Sequence, residues 1–252
     1  MDEDLELLKK RFVELSARSD AGFYYSFTDF LGLSEQSAFK DCLGRLRDQT
    51  YTVWGGLEGT ERVMIRFGNP EMIGYDQPFP IRILKAEPRS QKYADKLTHR
   101  DFLGALLNLG IERDTLGDIA ILDNIGYIIA KEEIADYITD SLTKVKHTDI
   151  KISACTEIPK GGLFHTEERT VQISSERLDA LVARIYKLSR EGAQALFKKK
   201  LIFVGGRLCE SPSYTPKRDE VISVRGYGRF TYCGYESLSK KGKLNCKCLV
   251  YV

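Results

Sequence analysis

The sequence has little of what marks a secreted, membrane-spanning or metal-dependent protein. It contains six cysteines and three histidines in 252 residues, and no cysteine pair has the C-x2-C spacing of a zinc site or of a small disulfide-rich scaffold. It has no run of about 18 apolar residues that could cross a bilayer. The start, Met1–Asp4, is acidic and lacks the positive segment and apolar stretch of a secretory signal. We therefore expect a cytoplasmic protein with reduced thiols, no metal site and no cofactor.

The sequence also lacks the residue groupings from which common catalytic sites are built. Thr98-His-Arg-Asp101 sets a histidine beside an arginine and a carboxylate, but adjacent residues at a helix start point in different directions. Thr98 and Asp101 instead have the spacing of a helix cap. Three apolar residues that follow are expected to fill the core: Phe102, Leu106 and Leu107. No catalytic residue is predicted, and the protein is expected not to be an enzyme.

Charge is divided unevenly along the chain. Residues 1–170 carry 22 basic and 29 acidic side chains, a net charge of −7, whereas residues 171–252 carry 16 basic and 7 acidic side chains, a net charge of +9. The near-neutral total therefore conceals a basic C-terminal module. A concentrated positive charge of this kind favours a polyanionic partner.

The basic module begins with two predicted helices. Apolar residues at helical spacing form one stripe of the first helix: Leu178, Leu181, Val182 and Ile185. Arg177 and Arg184 fall together on another face of that helix. Ser189 can cap the second helix, whose apolar stripe consists of Ala193, Leu196 and Phe197. Each helix thus has one side that packs and another that is cationic.

Strands are predicted after the two helices. The β-rich runs are Leu201–Val204, Val221–Val224 and Arg229–Tyr232, with a turn at Gly205-Gly206 after the first. Cys246-Lys-Cys248 could suggest a metal-binding pair, but residues i and i+2 of a strand point to the same face of a sheet. We therefore interpret these two cysteines as neighbours on one face of a strand.

This region resembles the S-four RNA-binding domain, which takes its name from a protein of the small ribosomal subunit. The resemblance rests on Arg177-Leu-Asp179, Ser189-Arg190, Ala193-Gln194, Val204-Gly-Gly206 and Val221-Ile-Ser-Val-Arg-Gly226. In that family structured RNA lies against the two helices and the following hairpin. The candidate RNA-binding residues are Arg177, Arg184, Lys187, Ser189, Arg190, Gln194, Lys198, Lys199 and Arg207. The cations suit phosphates, and Gln194 suits a ribose hydroxyl or a base edge.

The first 170 residues predict two further α/β parts, which gives an α+β fold class. Residues 1–75 are expected to form a small α/β domain with helices near Leu5–Leu15 and Glu35–Leu46 and a strand at Tyr51–Trp54. Residues 76–170 have the order βαββαβ of a ferredoxin-like domain. Their elements are Phe79–Ala86, Thr98–Leu109, Asp118–Leu122, Tyr127–Ala130, Glu132–Leu142 and Asp149–Cys155, with a turn at Asp123-Asn124. Residues 171–252 are expected to form the S-four-type αα-β domain and its C-terminal strands.

Several segments, taken in order, resemble the YlmH-like family of bacterial ribosome-associated RNA-binding proteins. They are Phe27-Thr-Asp-Phe-Leu31, Gly55-Gly56, Leu97-Thr-His-Arg-Asp-Phe-Leu-Gly104, Leu109-Gly-Ile111, Gly117-Asp118 and Arg225-Gly-Tyr-Gly-Arg-Phe230. The resemblance implies binding to rRNA of the large ribosomal subunit, with tRNA or peptidyl-tRNA as a further partner. We expect a monomer. It also implies a role in rescue or quality control of stalled translation.

Two other function classes fit parts of the sequence. The first is an rRNA-modifying enzyme, a pseudouridine synthase or a methyltransferase, that uses the basic module to dock its substrate. Against it, the chain has no Gly-rich loop between a strand and a helix, and its first 170 residues leave little room for a large catalytic sheet. The second is a protein-interaction adaptor linked to cell division, which leaves the basic module unexplained.

Overall fold

The protein divides into two compact units. The computed structural model describes residues 2–46, 50–159, 162–239 and 242–251. The first unit comprises Met1–Glu35 with Asp41–Phe164, and the second comprises Gln36–Lys40 with His165–Val252. Both contain helices and sheet, so the α+β class is confirmed. The domain boundaries predicted near residues 75 and 170 stay predictions. Within the described ranges, the helices are too short or too polar to pass through a bilayer.

The N-terminal part of the chain forms a small three-stranded sheet. Its elements are α1 (Asp2–Gly22), β1 (Ser26–Phe27), α2 (Leu33–Cys42), β2 (Tyr51–Trp54), β3 (Met64–Phe67) and α3 (Pro70–Ile73). The strands lie in the order β1-β3-β2 and are antiparallel. The predicted first helix is present and runs seven residues beyond Leu15, and Ser16 and Ser19 of that extension are buried. Strands β1 and β3 were not predicted.

The following part has the predicted ferredoxin-like order with one short strand added. Its elements are β4 (Ile81–Pro88), α4 (His99–Asn108), β5 (Leu116–Leu122), β6 (Ile125–Lys131), α5 (Glu132–Ser141), β7 (Lys144–Val145) and β8 (Thr148–Ala154). The strands lie in the order β5-β6-β4-β8-β7, and every pair of neighbours is antiparallel. Asp123 and Asn124 have φ values of 51° and 64°, as the tight hairpin turn between β5 and β6 requires.

The predicted cap of α4 is confirmed, and one predicted core residue is wrong. The backbone N–H of Thr98 donates to the Asp101 carboxylate at 2.8 Å. Phe102 and Leu106 are completely buried. Leu107 is 43% exposed, because one residue further along a helix is rotated by about 100° from the buried stripe. Thr98-His-Arg-Asp101 therefore begins a helix, as the sequence predicted.

The second unit packs two helices on one face of a six-stranded sheet. Its elements are β9 (Thr166–Ile173), α6 (Leu178–Ile185), α7 (Arg190–Lys198), β10 (Ile202–Val204), β11 (Arg207–Leu208), β12 (Glu220–Val224), β13 (Gly228–Leu238) and β14 (Leu244–Tyr251). The strand order is β11-β10-β12-β13-β14-β9. Both predicted helices and the Gly205-Gly206 turn are confirmed. Cys246 and Cys248 are fully buried at alternate positions of β14, which confirms their predicted place on one face of a strand.

Candidate nucleic-acid interface

The helices α6 and α7 are fixed to the sheet by apolar residues at the predicted spacing. The buried stripe contains Leu178, Leu181, Val182 and Ile185 of α6 with Ala193, Leu196 and Phe197 of α7. Ser189 caps α7, since its Oγ accepts the backbone N–H of Gly192 at 3.0 Å. Burying one stripe of each helix leaves the polar residues of both on the opposite side. The sequence pattern alone therefore determines which side of this helix pair can meet a ligand.

The start of α6 is closed to anions by a loop of the same unit. The backbone N–H of Leu178 donates to the carbonyl oxygen of Tyr214 at 2.8 Å, and that of Asp179 donates to the carbonyl oxygen of Pro212 at 3.0 Å. These amide groups would otherwise be the orphan donors of a helix N-terminus. Because protein carbonyls occupy them, an anion at the start of α6 can be contacted only by side chains.

A buried carboxylate brings three of the predicted RNA-binding residues together. Asp179 has no solvent-exposed surface. Arg177 binds it in a two-point contact, with Nε and Nη2 each 3.0 Å from a carboxylate oxygen. Gln194 Nε2 donates to the same carboxylate at 3.2 Å, and Arg190 Nε lies 3.8 Å from it. The carboxylate thus links the start of α6 to the outer side of α7.

The protonation equilibrium of Asp179 shows that this cluster stabilises the charged form. Burial on its own would raise the pKa of the carboxyl group. Hydrogen bonds from Arg177 and Gln194, together with the charges of Arg177 and Arg190, outweigh burial and place the pKa below its ordinary value. The hydrogen bond to Asp179 also raises the pKa of Arg177. Asp179 is therefore an anion at neutral pH, and the arginines around it stay charged and oriented.

Five of the predicted cations are exposed on or beside the two helices. We call this set the cationic face: Arg184, Lys187, Arg190, Lys198 and Lys199. Arg190 and Lys198 are eight positions apart on α7 and lie along the same side of the helix. Lys187 lies between the helices and has a φ of 53°, which turns the chain from one into the other. The cationic face therefore extends from the end of α6 along the length of α7.

The other four predicted RNA-binding residues each make a contact within the protein. Arg177 is part-buried and directed at Asp179, and Gln194 is likewise part-buried. The hydroxyl oxygen of Ser189 is engaged in capping, while its proton remains able to donate to a ligand. Arg207 is exposed, but its Nη2 donates to the carbonyl oxygen of Lys40 at 3.1 Å. These four residues stay predicted RNA contacts, each with a second duty inside the protein.

Three residues of this region were not recognised from the sequence. Asp179 lies in the first turn of a helix, where a solvent-exposed acidic residue is also common, so the sequence does not indicate its burial. Tyr186 and Tyr227 pack together, with ring centroids 5.6 Å apart. The available signal was Tyr227 itself, a large aromatic residue between two glycines in the segment that joins two predicted strands.

The part of the ferredoxin-like sheet formed by β5 and β6 does not offer its second face to a ligand. In RNA-recognition sheets, that face carries the aromatic residues on which bases stack. Here it is covered within the first unit by apolar side chains from other elements. One buried cluster joins Ile129 to Phe30 and Met64, and another joins Tyr127 to Leu163. At β5 and β6 RNA can therefore reach only the edge of the sheet, whereas Lys151 of β8 is exposed on the same face.

One basic groove lies on the helical side of that sheet. It has a volume of about 580 Å³ and is lined by α4 and by the residues around β7. Arg100 and Lys144 are exposed there. Lys146 binds the Asp101 carboxylate at 2.8 Å, so that part of the groove's positive charge is neutralised. Its net basic character is weaker than that of the cationic face.

Comparisons with known proteins give three similarities. Residues 76–157 match a family model described as "Putative RNA-binding domain in YlmH". The chain is 30% identical over 228 residues to "Ribosome-associated protein quality control protein P2" of Bacillus subtilis (strain 168), covering 86% of this chain and 83% of that relative. The solved structure "Cell division protein ylmH from Streptococcus pneumoniae" is 21% identical, with a TM-score of 0.47, and covers 60% of this chain and 90% of its own. The match to the Bacillus protein is long enough to include residues of both units.

Proposed function

Because the chain belongs to the YlmH family, we propose that it is a non-enzymatic RNA-binding protein of the cytoplasm that associates with the large ribosomal subunit. Its RNA ligand is rRNA, with peptidyl-tRNA as a second ligand in the same complex. Its role is in the quality control of stalled translation. The name of the Bacillus relative, a ribosome-associated quality control protein, supports this assignment, and so does the family model for an RNA-binding domain.

The observation that carries the proposal is the cationic face. Five exposed cations on two short helices repel one another and lower stability unless an anion neutralises them. The helices also place them in a fixed arrangement, because the buried Asp179 of α6 contacts Arg190 and Gln194 of α7. A fixed arrangement of cations matches a folded RNA better than a flexible basic tail would. We assign this unit the function of an S-four-type domain on that ground.

Binding through this surface is mainly electrostatic. Arg and Lys side chains displace counterions from phosphates, so affinity falls as salt rises. If about six side chains contact phosphates, the logarithm of the binding constant should fall with the logarithm of salt concentration with a slope of roughly −4 to −5. Contacts of this type position the RNA without reading its sequence. Recognition of a particular rRNA element then depends on RNA shape.

The test is sedimentation of a tagged protein with ribosomes through sucrose gradients at low and high salt. The variant K198A/K199A removes two exposed charges of the cationic face and leaves Asp179 and its partners unchanged. The matched control K217A/R218A removes two exposed charges from the loop that precedes β12, outside the cationic face. We expect the wild type and the control to migrate with large subunits at low salt and to dissociate at high salt, and K198A/K199A to dissociate already at low salt.

Two results would contradict the proposal. If the wild type remains at the top of the gradient at low salt, the protein is not a ribosome-associated factor. If K198A/K199A and K217A/R218A lose association equally, overall charge rather than the cationic face causes the binding. Probing each fraction for rRNA and tRNA identifies the bound RNA.

A further inference from the structure

The hairpin loop between β12 and β13 holds an aromatic residue in a defined position. Val224 and Gly228 are the last paired residues of the two strands, so the loop consists of Arg225, Gly226 and Tyr227. The backbone N–H of Tyr227 donates to the carbonyl oxygen of Val224 at 2.9 Å. Gly226 in the loop and Gly228 directly after it have φ values of 85° and 122°, which other residues rarely adopt. The loop is therefore tightly turned and presents one side chain, Tyr227, at its end.

The ring of Tyr227 is supported on one side and open to solvent elsewhere. It packs on Tyr186, with ring centroids 5.6 Å apart, and Tyr186 packs in turn on the buried Phe230 at 6.2 Å. Even so, 47% of Tyr227 is exposed. Its support fixes the orientation of the ring, and its exposure leaves aromatic surface available to a partner.

Both ends of the cationic face lead to this loop. Tyr186, which supports Tyr227, is followed directly by Lys187. The backbone N–H of Arg225 donates to the carbonyl oxygen of Leu201 at 2.9 Å, and Leu201 follows directly on Lys198–Lys200. The loop also begins with an arginine, exposed Arg225. A polyanion bound to the cationic face would therefore pass close to the exposed ring.

We propose that Tyr227 is a stacking site for an unpaired nucleobase of the RNA bound by the cationic face. The inference rests on the proposed function, because it takes the ligand to be RNA. Aromatic side chains beside phosphate-binding cations are how proteins hold splayed-out bases of loops and single strands. Every base has a flat aromatic face, so the site needs no particular sequence. The ligand it selects is RNA with an unpaired base, in preference to a continuous duplex.

The test compares two RNA probes that carry the same number of phosphates. One is a hairpin with 2-aminopurine at a loop position, and the other is a blunt-ended duplex. Y227A removes the ring, Y227F keeps it, and Y227L keeps apolar packing on Tyr186 without an aromatic face. Y235A is the matched control, because Tyr235 is 56% exposed near the far end of β13.

We expect Y227A and Y227L to bind the hairpin on the order of 10- to 100-fold more weakly than the wild type. Their affinity for the duplex and the slope of binding against salt should not change, because no charge is removed. Quenching of 2-aminopurine on binding should be present in the wild type, Y227F and Y235A. It should be absent in Y227L and Y227A.

The outcomes separate this inference from the proposed function. Unchanged hairpin affinity and quenching in Y227L, with weakened binding by K198A/K199A, would overturn the stacking site and leave RNA binding intact. Equal losses for hairpin and duplex in Y227L would also overturn it. Failure of the wild type to bind either RNA in a salt-dependent manner would instead remove the proposed function. Thermal unfolding of each variant identifies any loss of RNA affinity that comes from misfolding. If Y227A does not fold, the result for Y227L decides between the outcomes.

Discussion

Gln194 donates its side-chain N–H to Asp179 across the interface of α6 and α7, at 3.2 Å. Asp179 is inaccessible to solvent, whereas Arg190, one turn before Gln194, is exposed. The position of surface cations on α7 thus depends on a carboxylate that no ligand can touch. In this cluster, residues predicted to contact RNA also hold the two helices together.

The first prediction concerns the buried carboxylate. The substitution D179A removes the charged acceptor that Arg177 and Gln194 share, and a hydrogen bond to a charged group contributes about 1.5–3 kcal/mol. We expect the free energy of unfolding to fall by an amount in that range, with a weaker affinity for RNA. Urea unfolding and RNA binding of the full chain measure both. The control E191A removes an exposed acidic residue of α7 and should change stability by less than about 0.5 kcal/mol. Equal stability of D179A and wild type would contradict the assigned role.

The second prediction concerns the acid dependence of the cap of α4. Hydrogen bonds from Lys146 and Thr98 lower the pKa of Asp101 to about 2. An unfolded aspartate has a pKa of about 3.9. The hydrogen bonds from Lys146 and Thr98 to ionised Asp101 therefore stabilise the folded protein fully above that pH. The contribution is lost as pH falls from about 4 towards about 2.

A carbon-13 NMR titration of the Asp101 carboxyl group measures this shift. K146A should move the titration midpoint up towards about 4, because it removes the main donor. K144A is the matched control, since it deletes an exposed lysine two positions earlier and should leave the midpoint near its wild-type value. A midpoint that does not respond to K146A would disprove the assigned cause.

The third prediction uses two glycines of the ferredoxin-like part that differ in their surroundings. A Cβ atom at Gly126 would lie 2.5–2.8 Å from ring atoms of the buried Phe102, whereas one at Gly104, on the exposed side of α4, would meet nothing within 4 Å. Overpacking typically costs about 1–3 kcal/mol, and a helix-interior Gly to Ala change adds roughly 0.5–1 kcal/mol of stability. We expect G126A to lower the thermal midpoint and G104A to raise it. A higher midpoint for G126A, or a lower one for G104A, measured by calorimetry would refute the packing described for α4.

The fourth prediction concerns the thiols. Burial raises the pKa of Cys248 to about 12 and also raises the pKa of Cys246. The thiolate is the reactive form, so iodoacetamide at pH 8 should leave both unmodified in the native protein. Cys155 and Cys233 are half-buried and should be alkylated first, although burial raises the pKa of each. Mass spectrometry after labelling identifies the sites. Rapid native labelling of Cys248 would show that β14 is not buried as described.

Elements with a local signal could be predicted from the sequence, and those that depend on distant partners could not. The apolar residues of α6 and α7 recur every three or four positions, and Ser189 is a typical N-cap residue at the start of α7. Strand β9 gives no such signal: Thr166–Thr170 is polar and exposed on both faces. It is a strand because β14 supplies its hydrogen bonds. Periodicity in the chain cannot reveal such a partner.

The same limit applies to the candidate site. Charge and helix pattern identified the cations, because both are properties of the sequence. The burial of Asp179 arises only when α7 and the loop at Pro212 pack against α6. The covering of the ferredoxin-like sheet depends on Phe30 and Leu163, which come from opposite sides of that region in the chain. Such contacts follow from tertiary packing and carry no local periodicity.

The pairing of β9 with β14 has a consequence for the order in which the second unit forms. Among the described strands, β9 has β14 as its neighbour in the sheet, and both helices and four further strands separate them in the chain. During synthesis β9 therefore emerges first and waits for its partner until Leu244–Tyr251 has been made. Contacts between such distant segments form slowly. The sheet that supports the cationic face is therefore complete only after Leu244–Tyr251 has been made.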